Sequence, residues 1–82
     1  MAKPLEKPEE IKVTVNIEGV PLSFLRNDKR HRVTAIYHRW LRVDEWGTET
    51  EKEYFKVKAR GLLCDIYHEL ANNRWYISKI RD

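Results

Sequence analysis

From residue 11 onward the chain alternates apolar and polar side chains with a period of two, and no stretch carries the stripe of an amphipathic helix. A period of two belongs to strands with one buried face, so the pattern predicts an all-β fold. In the first such run Ile11, Val13, Val15 and Ile17 alternate with Lys12, Thr14, Asn16 and Glu18. A one-residue slip in pairing turns every side chain of a strand to the opposite face. Each candidate turn can therefore be judged by whether it sets apolar residues against apolar ones.

Turns at Glu18-Gly19, Asn27-Asp28, Arg60-Gly61 and Asn72-Asn73, with a longer loop about Gly47, satisfy that condition. The first pairs Ile17 with Val20, Val15 with Leu22 and Val13 with Phe24. The second pairs Leu22 with Val33 and Val20 with Ala35. The loop about Gly47 sets Ala35 against Ala59, Tyr37 against Val57 and Arg39 against Phe55. The turn at Arg60-Gly61 pairs Ala59 with Leu62, Val57 with Cys64 and Phe55 with Ile66. The last pairs Leu70 with Trp75 and His68 with Ile77. Six strands follow, at roughly 11–17, 20–26, 29–42, 52–60, 62–70 and 74–81. A flat sheet would leave one apolar face uncovered, and no helix is predicted to cover it. The meander is therefore expected to curl into a small antiparallel barrel, SH3-like or related. Its predicted interior is Val13, Val15, Ile17, Leu22, Phe24, Val33, Ala35, Tyr37, Phe55, Val57, Cys64, Ile66, Leu70, Trp75 and Ile77.

With 82 residues there is room for one core. The opening MAKPLEKPEE, charged and with two prolines, reads as a flexible tail over 1–10, ahead of a barrel domain over 11–82. It has no apolar segment of the signal-peptide kind, no later run is long enough to span a bilayer, and no membrane partner is expected. The single cysteine, Cys64, allows no internal disulfide and suits a reducing compartment, so a cytoplasmic location is expected.

The net charge of +3 is small, but the charges are blocked along the chain. Residues 29–42 carry five Lys or Arg and no acid, 43–53 carry five acids and one Lys, and 54–62 carry three cations and no acid. With Val33, Ala35 and Tyr37 inside, strand parity predicts Arg30, Arg32, Thr34, Ile36, His38 and Trp40 on the outer face. Tyr54, Lys56, Lys58 and Arg60 stand beside them, with Asp65 and Tyr67 beyond and Tyr76 next to Glu69. Cations interleaved with aromatics suit a single-stranded polyanion: rings offer stacking worth ~1–3 kcal/mol per base while the cations hold phosphates. A cross-strand pair such as Trp40 with Tyr54 also stabilises a hairpin by ~0.2–1 kcal/mol with no ligand at all.

Catalytic signatures are not found: there is no glycine-rich phosphate loop and no nucleophile elbow. Cys64 and His68 lie four residues apart on one strand, about 13 Å, too far to share a metal. His31 and His38 differ in parity and face opposite sides. Glu49, Glu51 and Glu53 read as a solvated acidic segment that can pair with Arg39, Arg42 and Lys52. No metal, no cofactor and no catalysis is expected.

RHRVTAIYHRW, a Trp-containing loop, EYFKVKA and the closing CDIYHELANNRWYISKIRD together resemble a small bacterial domain family of unassigned function. Its members occur alone and as C-terminal appendages of Y-family, translesion-type DNA polymerase-related proteins. The resemblance covers residues 11–82, and Asn72-Asn73 stands where the family usually has a glycine in the last turn. It implies an accessory domain in DNA repair or damage tolerance and brings no catalytic residue.

Two functions are thus expected as alternatives to a stability or solubility appendage with no ligand. One is a binding module for single-stranded or distorted DNA using Arg30, Arg32, His38, Trp40, Tyr54, Lys56, Lys58 and Arg60. The other is a protein-interaction module that recruits a DNA polymerase or replication partner through a sheet edge or through Leu25, Ile36 and Leu63.

Overall fold

The computed structural model describes the backbone of residues 2–43 and 51–81, with side chains over 7–42 and 51–80. Six strands, β1 (Ala2–Val15), β2 (Pro21–Arg26), β3 (Lys29–Val43), β4 (Glu51–Ala59), β5 (Leu62–Glu69) and β6 (Arg74–Arg81), pair in chain order and antiparallel. β1 also pairs with β6, which closes the barrel. There is no helix among the described residues, hence none long and apolar enough to cross a membrane. β1, which would be a free edge only in an open barrel, is paired with both β2 and β6.

The interior holds Ile11, Phe24, Phe55, Val57, Ala59, Cys64, Ile66, Trp75 and Ile77, with Val13, Val33, Leu62 and Ile80 packed against them. Each fully buried large side chain contributes ~1.5–3 kcal/mol, and β4, β5 and β6 supply most of them. Two hairpins turn where the alternation predicts. Asn27 and Asp28 (φ 53° and 62°), and Arg60 and Gly61 (φ 52° and 78°), both have the two positive-φ central residues of a tight turn matched to strand twist. The β4–β5 ladder has the expected Phe55–Ile66, Val57–Cys64 and Ala59–Leu62 pairs.

Val15, Ile17, Leu22, Tyr37 and Leu70, all expected inside, are exposed, and each departure has a local cause. Between β1 and β2 the turn is three residues long. Asn16 and Val20 close it, the Asn16 Oδ1 accepts the amides of Glu18 and Val20 at 2.8 and 3.0 Å, and Gly19 takes φ 80°. Ile17 therefore sits at the tip, fully exposed. Val15 pairs with Pro21, and Leu22 is the extra residue of a bulge that restores Thr14–Ser23 and Val13–Phe24.

Two further bulges lie on β3, where Val33 pairs with Ala59, Ala35 with Lys58, Ile36 with Val57 and His38 with Lys56. Thr34 and Tyr37 are the unpaired extra residues. Ala35 thus shares a rung with Lys58 rather than Ala59, Ile36 takes the rung of buried Val57, and Tyr37 is 56% exposed. The two inversions cancel by Arg39, which lies opposite Phe55 as expected, whereas Val33 takes the place opposite Ala59 that was expected of Ala35. Between β5 and β6 the loop spans four residues, with Glu69 opposite Arg74, His68 opposite Trp75 and Tyr67 opposite Tyr76. Leu70 falls in that loop. Ser78 is the extra residue of another bulge, and its hydroxyl donates to the Asp65 carbonyl at 3.2 Å, as the Thr34 hydroxyl does to that of Lys58.

Residues read as a tail also enter the sheet. β1 pairs with β6 through Ala2, Lys3 and Pro4 and again through Glu9, Glu10 and Ile11, with the ladder interrupted between Pro4 and Glu9. Pro8 lies in the interruption, where no amide hydrogen is required of it.

Candidate nucleic-acid interface

Because Phe55, Val57, Ala59, Cys64 and Ile66 are buried, the intervening Tyr54, Lys56, Lys58, Leu63, Asp65 and Tyr67 stand on the outside of β4 and β5. The register then aligns like with like across four strands. Trp40 lies opposite Tyr54, Tyr54 opposite Tyr67, and Tyr67 opposite Tyr76. Their rings form a continuous row, with centroids 5.3, 5.1 and 5.2 Å apart, and His38 adds a fifth ring 4.9 Å from Trp40. Interplanar angles of 10° to 37° mean that each interior ring turns its two faces to its neighbours. The row consequently offers solvent mainly ring edges. Tyr67 is only 8% exposed, and its hydroxyl is pushed up to about 12, first by desolvation and then by Glu69, Tyr54 and Tyr76.

Cations flank this row on both sides. One adjoining set of rungs runs Arg42, Lys52, Glu69, Arg74; the Arg42 guanidinium lies 5.9 Å from the Tyr54 ring centre and the Lys52 ammonium 5.4 Å from that of Tyr67. The other runs His38, Lys56, Asp65, Lys79, and beyond it come Ala35, Lys58 and Leu63. At this corner Tyr37, Lys56, Lys58, Gly61 and Leu63 line an open groove of about 500 Å³.

Of the residues expected to bind nucleic acid, His38, Trp40, Tyr54, Lys56 and Lys58 come together here. Arg30 and Arg32 do not: they pair with Leu25 and Ser23 of β2, on the three-stranded side of the barrel, where Arg30 donates to the Ser23 hydroxyl at 3.3 Å. Arg60 occupies the β4–β5 turn and, with Arg26 and Lys29, acts on His31. The His31 ring stacks on Phe24 at 5.0 Å and its pKa is lowered, chiefly by desolvation and then by those cations. The three apolar residues expected to meet a protein partner are also dispersed. Leu25 is half-buried on β2, Ile36 is on β3 and Leu63 is in the groove.

The site list drawn from the sequence lacks Tyr67, Tyr76, Arg42, Lys52 and Lys79. Parity already set Tyr67 outside, and only the four-residue loop brings Tyr76 beside it. A second cluster lies about Phe55 and Trp75: Arg39 lies over Phe55, Phe55 contacts Trp75, and His68 stacks on Trp75 at 4.3 Å while hydrogen-bonded to Asn73. Arg39 also pairs with Glu53 at 3.0 Å, as the acidic segment was expected to allow. Glu49, Trp46 and Gly47 lie outside the described residues. Among the described residues no three His, Cys, Asp or Glu side chains gather as for a metal. No protein-family model, no curated protein and no solved structure matches the chain.

Proposed function

We propose that the chain is a non-catalytic binding module for single-stranded or locally unpaired nucleic acid, engaged by the outer face of β3 to β6. The observation that carries this reading is the row of stacked aromatics bordered on both sides by Lys and Arg rungs. Tyr54 and Tyr67 hold the Arg42 and Lys52 cations against their rings, which fixes those charges on the wall for backbone phosphates. Bases that are not locked in a duplex can turn toward the wall, which favours single strands. The resemblance to accessory domains of translesion-type polymerases fits a role in DNA damage tolerance, and that context is part of the proposal.

Anisotropy titration of a labelled oligonucleotide at two salt concentrations tests it. If about four phosphates are neutralised, log K falls against log salt with a slope of roughly −3. Lys56→Glu with Lys58→Glu should abolish binding, whereas Arg32→Glu, on the other side of the barrel, should leave most of it. Absence of binding near 50 mM salt at ~100 μM protein would remove the reading, since non-specific affinities are typically stronger than that.

A further inference from the structure

We infer that the groove beside the second β3 bulge is a pocket for one unstacked nucleobase, with Tyr37 as its stacking surface and Lys56 and Lys58 as holders of the flanking phosphates. This deepens, and rests on, the nucleic-acid reading above. The aromatic row is poorly suited to stacking a base, because its interior rings already spend their faces on one another. Tyr37 differs. As the extra residue of a bulge it stands outside the row, it is 56% exposed, and no aromatic ring among the described residues stacks on it. Bulges commonly re-aim a side chain in this way next to functional sites.

The groove's other walls suit the same occupant. Leu63 is apolar and half-buried, and Gly61 contributes backbone without a side chain, with nothing within 4 Å of where a Cβ would stand. The described lining residues include two lysines and no acid, which matches a base carried on a phosphate backbone. About 500 Å³ lies within the range of small-ligand clefts and admits a base with its sugar.

The test compares Tyr37→Leu and Tyr37→Trp with the unsubstituted protein, using a thymidine oligonucleotide and inorganic polyphosphate, which has charge but no base. Tyr37→Leu should weaken oligonucleotide binding about five- to hundredfold, the range of a lost base–aromatic stack, with the salt slope and polyphosphate affinity unchanged. Tyr37→Trp should bind at least as well as the unsubstituted chain. Oligonucleotide binding indifferent to Tyr37→Leu, or equal losses for both probes, overturns the pocket and leaves the nucleic-acid reading standing. Failure of the unsubstituted chain to bind either probe removes that reading and the pocket with it. An apolar dye that binds the groove and is not displaced by oligonucleotide would assign the groove to an apolar protein partner, which also overturns the inference. Urea unfolding of both variants checks that the exposed position tolerates the change.

Discussion

β3 and β4 are hydrogen-bonded partners, yet they are built differently. On β4 the alternation is unbroken, and Phe55, Val57 and Ala59 all point into the core. On β3 two extra residues interrupt the ladder, and from Thr34 to Arg42 no side chain is fully buried. One strand holds the barrel together and the other presents side chains to solvent. Bulges allow both in a single pairing, because each extra residue bends the strand and inverts the faces beyond it. The interruptions turn Ala35 and Tyr37 outward, whereas His38 and Trp40, beyond both bulges, stand outside as plain alternation predicts.

The same charge placed on either partner of one rung should have very different consequences. Val57→Asp should abolish folding, because an unpaired carboxylate in a fully buried position costs several kcal/mol against a total of ~5–15. Ile36→Asp, directly opposite but 38% exposed, should leave a folded barrel with only a lowered urea midpoint. Ala59→Lys and Ala35→Lys should divide in the same way: Ala59 is buried, whereas Ala35 is partly exposed and shares its rung with Lys58. Circular dichroism and urea unfolding of the four variants check both pairs. Equal losses within either pair would mean that β3 is a core strand like β4.

A smaller effect should come from the bulges themselves. Thr34→Val removes the hydroxyl that ties the first β3 bulge to the Lys58 carbonyl, and should cost about 0.5–1.5 kcal/mol by urea unfolding. No change would mean that the bulge is fixed by barrel curvature alone.

The smallest expected effect is electrostatic. Desolvation first, then Arg60, Arg26 and Lys29, lower the His31 pKa below its ordinary 6.5, so the unfolded chain takes up a proton before the folded one does. Stability should be fully present above the unfolded pKa and fall as pH drops through about 6.5 toward the folded pKa. His31→Phe, which keeps a ring over Phe24, should flatten the urea midpoint between about pH 7 and 5. An unchanged slope would show that His31 is not the responsible group.

Face assignment was legible wherever errors came in twos. The β5–β6 pairing lies two rungs from the one that the turn at Asn72-Asn73 predicts, and a two-rung shift keeps Trp75 and Ile77 inside. Leu22 and the longer Asn16–Val20 turn offset each other in the same manner, so Val13 still meets Phe24. What alternation cannot show is the extra residue in mid-strand. Nothing local at Thr34 or Tyr37 announces a bulge, since its cause is the need of a long strand to leave β2 and join β4 as the barrel closes. On β3, Ala35 and Tyr37, expected inside, are accordingly the ones misplaced. The aromatic row was half visible: Trp40 with Tyr54 follows from one ladder, and Tyr76 joins only once the four-residue loop is known.

Whether the β3–β6 wall grips single-stranded nucleic acid is read directly by an amide chemical-shift map of the domain titrated with a short single-stranded oligonucleotide. Fast, saturable shifts should concentrate at Tyr37, His38, Trp40, Lys56, Lys58, Leu63 and Lys79, and move together with added salt. A map that stays silent at millimolar ligand, or one centred on Arg30 and Arg32 of the opposite sheet, would mean that this wall is not the binding face.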